Sequence, residues 1–338
     1  MIGFYLHHFG DGHRTRGGVL ARSLAQLGQT VSGLGSGEPP RDWPGEWVAL
    51  DRDDSPAVEP RRDDPTAQGV LHWAPMGHPG LLSRHAELVR WIELARPDLL
   101  VVDVSVEVAL LARLCGIPVV VLAMPGDRSD RAHRTAYDLA ERLLAPWPVT
   151  AHGAAWPQRW RDKTWAVGGI SQFAGRTPDP ADVEPGRVLV LGGAGGSAVR
   201  EDDVAAAQEA CPGTRWRAVG GRHGRAADLW AELTRAEVIV THGGQNAVAD
   251  VATARRPAVV VPQLRPHGEQ QATAAALDRL GIAVGLDAWP RDPRAWPDLL
   301  RRARARPGDR WRTWVPSHPV ETAAALLDDL ATRELVLR

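Results

Sequence analysis

The densest chemical signal in the sequence lies between Val238 and Asp250. Four β-branched residues, Val238 to Thr241, run into His242-Gly243-Gly244-Gln245-Asn246, and Asp250 follows within the next helical stretch. A strand that ends in glycines and opens a helix offers free backbone N–H groups and about half a positive charge to a phosphate. A second strand-like run, Ala258 to Val261, leads into the polar loop His267-Gly268-Glu269-Gln270-Gln271. Together these segments can grip a nucleotide from several sides. The run Gly192-Gly193-Ala194-Gly195-Gly196-Ser197 repeats the strand–glycine–helix arrangement after Arg187 to Leu191. It also meets the loose dinucleotide pattern, which needs an acid about 20 residues on to hold a ribose. The next strand ends instead in Val219-Gly220-Gly221-Arg222-His223, so NAD is not implied. In the N-terminal half, His13 follows the first strand within Gly10-Asp11-Gly12-His13-Arg14, and Asp103 closes the strand that begins at Leu99. Both should stand at one rim of a parallel sheet, where a carboxylate can orient an imidazole.

The elements that position these residues follow a βαβ rhythm, which predicts an α/β fold of two doubly wound, Rossmann-like domains facing across a cleft. The first series starts at Ile2 to Leu6 and a helix marked by Leu20, Leu24 and Leu27. It continues through a strand at Trp47 to Leu50, a helix near Leu82 to Ala95, the strand at Leu99, a helix ending near Cys115-Gly116, and the strand Pro118 to Leu122. The second series has strands at Arg187 to Leu191, Trp216 to Val219, Val238 to Thr241 and Ala258 to Val261. Residues 1–170 are expected to form the first domain, the Pro-, Asp- and Gly-rich segment 171–186 a linker, 187–316 the second domain, and 317–338 a C-terminal helix. The acidic, Pro-punctuated stretch Asp51 to Pro65 reads as a long exposed loop.

Several runs resemble the donor-binding half of GT-B glycosyltransferases: H-G-G-x-N-x-x-x-D from His242 to Asp250, the Pro257 to Pro262 strand, and the Glu269-Gln270 loop. The likeness extends to UDP-glycosyltransferases of small molecules and to the peptidoglycan N-acetylglucosaminyl transferases. In the N-terminal half, Gly10 to Arg14, Pro97 to Asp103 and Val167 to Ile170 resemble further motifs of that fold. The resemblance implies that Gly12, Gly193, Gly195, Gly196, Ser197, His242, Gly243, Gly244, Gln245 and Asn246 face the donor's diphosphate. It implies that Asp250 holds the ribose, and that Glu269 and Gln270 contact the sugar. It also implies an inverting transfer from a nucleotide sugar, UDP favoured with dTDP and GDP as alternatives, to a hydroxyl of a small-molecule or lipid-linked acceptor. His13 would then be the base and Asp103 its orienter. Here Ala247, Thr273 and Asp250 stand where the family usually has Ser or Thr, Asn and Glu.

Taken singly, each residue also fits an ordinary role. His13 and His242 could cap helices, Asp250 could be a solvated helix carboxylate, and Glu269-Gln270 a polar helix start. Only the joint spacing carries weight. A sugar-nucleotide epimerase of the same fold and a non-catalytic nucleotide-sugar-binding subunit are the competing readings. The first needs several free cleft carboxylates, and the second needs no base.

Composition narrows the partners. With 40 basic and 41 acidic residues and a formal charge of −1, no overall field draws the chain to nucleic acid or an anionic surface. Cys115 and Cys211 are too few for a disulfide framework or a zinc-ribbon pattern. No His pair at i, i+4 with an acid signals a metal, so neither a metal nor a cofactor is expected, and His7, His8, His72, His78 and His85 read as loop or surface residues. The apolar stretch Leu99 to Met124 is interrupted by Asp103, Glu107, Arg113 and Pro118, which argues against a membrane span. A cytoplasmic location fits, with peripheral membrane attachment and oligomeric state left open.

Overall fold

The computed structural model describes residues 1–8, 10–154, 156–193 and 199–336, so the candidates Gly195, Gly196 and Ser197 lie outside the described residues. The first sheet is built from β1 (Ile2–Leu6), β2 (Val31–Gly35), β3 (Glu46–Ala49), β4 (Leu99–Asp103), β5 (Val119–Leu122), β6 (Arg142–Ala145) and β7 (Thr164–Ala166). Its order is β3-β2-β1-β4-β5-β6-β7. The second sheet contains β8 (Arg187–Leu191), β9 (Arg215–Val219), β10 (Val238–Thr241), β11 (Ala258–Val260) and β12 (Val284–Gly285), in the order β12-β11-β10-β8-β9. Neighbouring strands pair in parallel in both sheets. Helices cover the faces, which is why the central strands read as unbroken apolar runs: every residue of β1, β4, β5 and β10 is buried.

Chain direction across each sheet reverses once, between β1 and β4 in the first and between β8 and β10 in the second. The loops leaving such a pair diverge and open a crevice at the carboxyl ends of the strands. Register makes the placement specific. Leu6 stands opposite Asp103, and Leu191 opposite Thr241, so the loop before His13 opens beside Asp103 and the Gly192-Gly193 turn opens beside His242.

The helix Pro319–Val336 returns to the first sheet. Val320, Ala323, Ala324, Leu327 and Ala331 pack in one cluster with Ile2, Phe4, Leu6, Leu20 and Leu24, and Gln29 donates to Asp328 at 2.6 Å. Among the described residues, no helix is long and apolar enough to cross a membrane.

Some expectations need correction. Leu27 lies past the end of its helix and is exposed. Residues 51–65 are not simply an exposed loop, because Asp53 and Asp63 are buried and Asp53 pairs with the buried Arg84 at 2.5 Å. His78 is buried too, its Nδ1 accepting the Leu81 N–H at 3.2 Å as the cap of the helix Pro79–Ala95. The strands β2, β6, β7 and β12 carried no clear sequence signal. Two glycines weaken β2 as a pattern, yet Gly33 and Gly35 are what let it lie against Trp47.

The C-terminal helix is expected to be integral to the first half. Leu327 is fully buried, so Leu327→Ala should lower unfolding free energy by about 2–5 kcal/mol in urea titrations. A loss below about 1 kcal/mol would show that the helix only rests on the surface.

Candidate active site

At the rim of the first sheet, Asp103 is 2% exposed. A carboxylate this deep requires compensation, and Arg16 supplies it, its NH2 lying 2.8 Å from both carboxylate oxygens. His13 Nδ1 lies 3.0 Å from Asp103 Oδ1. Burial alone would raise the pKa of Asp103, but Arg16 and His13 hold it well below the usual carboxylate range. An ionised Asp103 only accepts, so the proton of a neutral His13 belongs on Nδ1 and Nε2 is left as the basic atom. His13 and Arg16 are one helical turn apart on Asp11–Gln26, both on the side facing the end of β4. Arg16 was not singled out by sequence, since nothing about an arginine in a helix reveals a partner 87 residues away.

Across the cleft, the helix Gln245–Ala254 starts directly behind His242-Gly243-Gly244. The His242 ring is wedged between Gly193 and Gly244, where an added Cβ would collide with it. Its Nδ1 accepts the Gly244 N–H at 3.0 Å. Burial pulls its pKa down to about 4, so it is a neutral ring with its proton on Nε2. Among the described residues this nitrogen has no hydrogen-bond partner. The Gly243, Gly244, Gln245, Asn246 and Ala247 segment and His242 line a cavity of about 440 Å³ between the two halves, together with Gly12, His13 and Gly193.

Direct contacts join the halves at this cavity. Asn246 Nδ2 donates to the Gly12 carbonyl at 2.8 Å, and Arg16 donates to Gln245 Oε1. Arg225 pairs with Asp11 at 2.6 Å, and Arg128 with Glu269 at 3.2 Å. Asp250 is buried, and its two oxygens accept from Ser171 Oγ at 2.6 Å and Gln172 Nε2 at 2.7 Å. The segment beginning at Ser171 is thus anchored at its start. Burial raises Asp250 to about 6, with the Ser171 and Gln172 bonds opposing the rise.

Glu269 faces the cavity, whereas Gln270 does not line it. The latter is buried, and its Oε1 accepts the Gln263 N–H at 2.9 Å, so the amide braces a loop instead of pointing at a sugar. A second cavity, of about 330 Å³, lies on the first-half side, with apolar walls from Val104, Val106, Val121, Leu122, Met124 and Tyr137. Gly10, His13, Met124, Arg265 and Glu269 line both cavities, so His13 stands where they meet.

Residues 227–295 match the glycosyltransferase family 28 C-terminal domain. No curated protein sequence matches the chain. Among solved structures, the glycotransferase of kitacinnamycin superposes with a TM-score of 0.70 at 20% identity, covering 97% of this chain and 98% of that one. MurG of Acinetobacter baumannii gives 0.65 at 15% identity, with 97% and 99% covered. The glycosyltransferase VinC, solved in complex with dTDP, gives 0.66 at 17% identity, with 98% and 99% covered. The chain therefore has the two-domain GT-B fold.

The raised pKa of Asp250 has a consequence for stability. Its folded value of about 6 lies above the ordinary 3.8, so folding disfavours the ionised form. The penalty is absent below about pH 4, grows through pH 4–6 and is complete above, where it amounts to roughly 3 kcal/mol. Asp250→Asn should therefore raise the unfolding temperature at pH 8 and leave it nearly unchanged at pH 4. An equal shift at both pH values, or a loss at pH 8, would contradict the buried-charge account.

Proposed function

We propose that the chain is an inverting, metal-independent glycosyltransferase in which His13 is the general base. The observation that carries this reading is the position of His13, at the junction of the two cavities with its Nδ1 on a buried carboxylate. Residues 187–316 would bind the nucleotide sugar and residues 1–170 the acceptor.

An acceptor hydroxyl in the apolar cavity loses its proton to His13 Nε2 while its oxygen attacks the anomeric carbon. The bond from that carbon to the diphosphate oxygen breaks on the opposite side, and the sugar inverts. Asp103 stabilises the imidazolium that forms. On the leaving side, the first-turn N–H groups of Gln245–Ala254 meet the departing charge. Gly12, Gly193, Gly243 and Gly244 let backbone approach the phosphates closely. Asn246 braces Gly12 through its side chain and keeps its backbone N–H for the diphosphate, as Gln245 braces Arg16. Asp250, ionised above about pH 6, would accept the ribose hydroxyls, and Glu269 would contact the sugar.

A pyrimidine nucleotide is the favoured donor. UDP was the reading of the sequence, and VinC and the spinosyn rhamnosyltransferase SpnG are solved with dTDP and thymidine diphosphate respectively, which brings dTDP level with it. An acceptor with an apolar scaffold suits the cavity wall. Epimerase chemistry finds less support, because the first-half carboxylates Asp11 and Asp103 are engaged by Arg225 and by Arg16 with His13.

The test is transfer from UDP- and dTDP-sugars to hydroxylated acceptors in the presence of chelator. His13→Ala should lose about 10²- to 10⁴-fold in kcat with donor affinity near wild type, and Asp103→Asn should lose less. A His13→Ala protein that keeps most of its turnover, or a wild type silenced by chelator and restored by magnesium, would defeat the proposal.

A further inference from the structure

Three histidines far apart in sequence converge at the outer edge of the acceptor-side cavity. His72 precedes the helix Pro79–Ala95, His133 lies in the helix Arg131–Leu139, and His267 comes from the second half. One ring nitrogen from each falls within 4.8 Å of the others, and the His133 and His267 ring centres are 4.6 Å apart. We propose that His72, His133 and His267 form a binding site for a nitrogen-seeking divalent ion of the zinc class, which would tie the two halves together across the mouth of this cavity.

Each histidine is positioned by a separate device. The Glu107 carboxylate accepts the backbone N–H groups of His72 at 2.7 Å and Trp73 at 2.8 Å, fixing an otherwise exposed loop. His133 donates from Nδ1 to Asp130 Oδ2 at 2.7 Å, which leaves Nε2 as the ligand atom. A carboxylate behind a ligating imidazole is the arrangement that fixes its tautomer and strengthens it as a ligand. His267 has a left-handed backbone, φ 61°, an unfavourable choice for histidine, and its carbonyl accepts the Asp127 N–H of the opposite half at 2.9 Å.

Charge also permits a cation. Arg128 NH1 stands 3.4 Å from His133 Nε2, but its charge is offset by Glu269 at 3.2 Å, and Asp130 adds a further negative charge. Zinc–nitrogen bonds of about 2.0–2.1 Å ask for nitrogens about 3.4 Å apart in a tetrahedron, with the fourth position left to solvent. Rotation of the exposed His72 ring and displacement of Arg128 close that gap. The site is remote in role from the diphosphate cavity and does not depend on the glycosyl-transfer reading. The three histidines share no sequence spacing, so His72 reads only as a loop residue in the sequence.

The test is equilibrium dialysis of the tag-free, chelator-stripped full chain against zinc, with metal counted per chain. One ion per chain is expected. Its affinity should fall at least about tenfold in His72→Ala, which alters an exposed ring, and in His267→Asn, which suits the left-handed backbone. Asp130→Asn keeps the cap on the His133 N–H and should weaken binding by about ten- to a hundredfold. His8→Gln, which alters the separate cluster of His8, Asp53 and Asp54, should leave it unchanged. No zinc uptake by the wild type, binding indifferent to His72→Ala and His267→Asn, or loss only in His8→Gln would overturn the proposal.

Discussion

A charge in the wall of a sheet is the constraint around which the site is organised. Asp103 ends a fully buried strand and is almost sealed from solvent. An unpaired carboxylate there would cost several kcal/mol. Arg16 cancels it through two 2.8 Å contacts, and His13 adds a third. These bonds hold the start of the helix Asp11–Gln26 against the end of β4 and fix the face that His13 presents to the cleft. The same guanidinium donates to Gln245 at the first turn of the donor-side helix. One buried pair thereby sets the imidazole, the helix that carries it and the approach of the opposite half.

The two sides of the cleft solve different problems. On the second-half side the groups are mainly backbone N–H and a neutral imidazole, brought close by glycines packed against the His242 ring. Such fixed dipoles suit a diphosphate, and Arg225 and Arg265 line the same cavity. The first-half side has apolar walls, with His13, Arg265 and Glu269 where it meets the diphosphate cavity and His72, His133 and His267 gathered in its lining. Contacts such as Asn246 to Gly12 join the sides next to the cavity. Closure and site geometry are therefore one property of the fold.

Sequence made the skeleton of this arrangement readable. Buried parallel strands are long apolar runs, so β1, β8 and β10 were found with their observed limits, and a polar residue at a strand's end marks a rim. His13 and Asp103 were legible for that reason. Tertiary partnerships were not. Arg16 looks like any helical arginine, and Gln270 sits in a family-like motif although its amide is turned inward to Gln263. Asp53 lies in an acidic stretch that reads as solvated, yet Arg84 draws it inside. Short edge strands such as β12 bury too little to leave a pattern.

The central claim is that Asp103 sets the His13 tautomer that leaves Nε2 free to take a proton. Nitrogen-15 NMR of the histidine-labelled protein at pH 8.5 measures this directly. The account predicts a neutral His13 with its proton on Nδ1 and a bare Nε2, and a loss of that preference in Asp103→Asn. A proton on Nε2 with a bare Nδ1 in the wild type would contradict it.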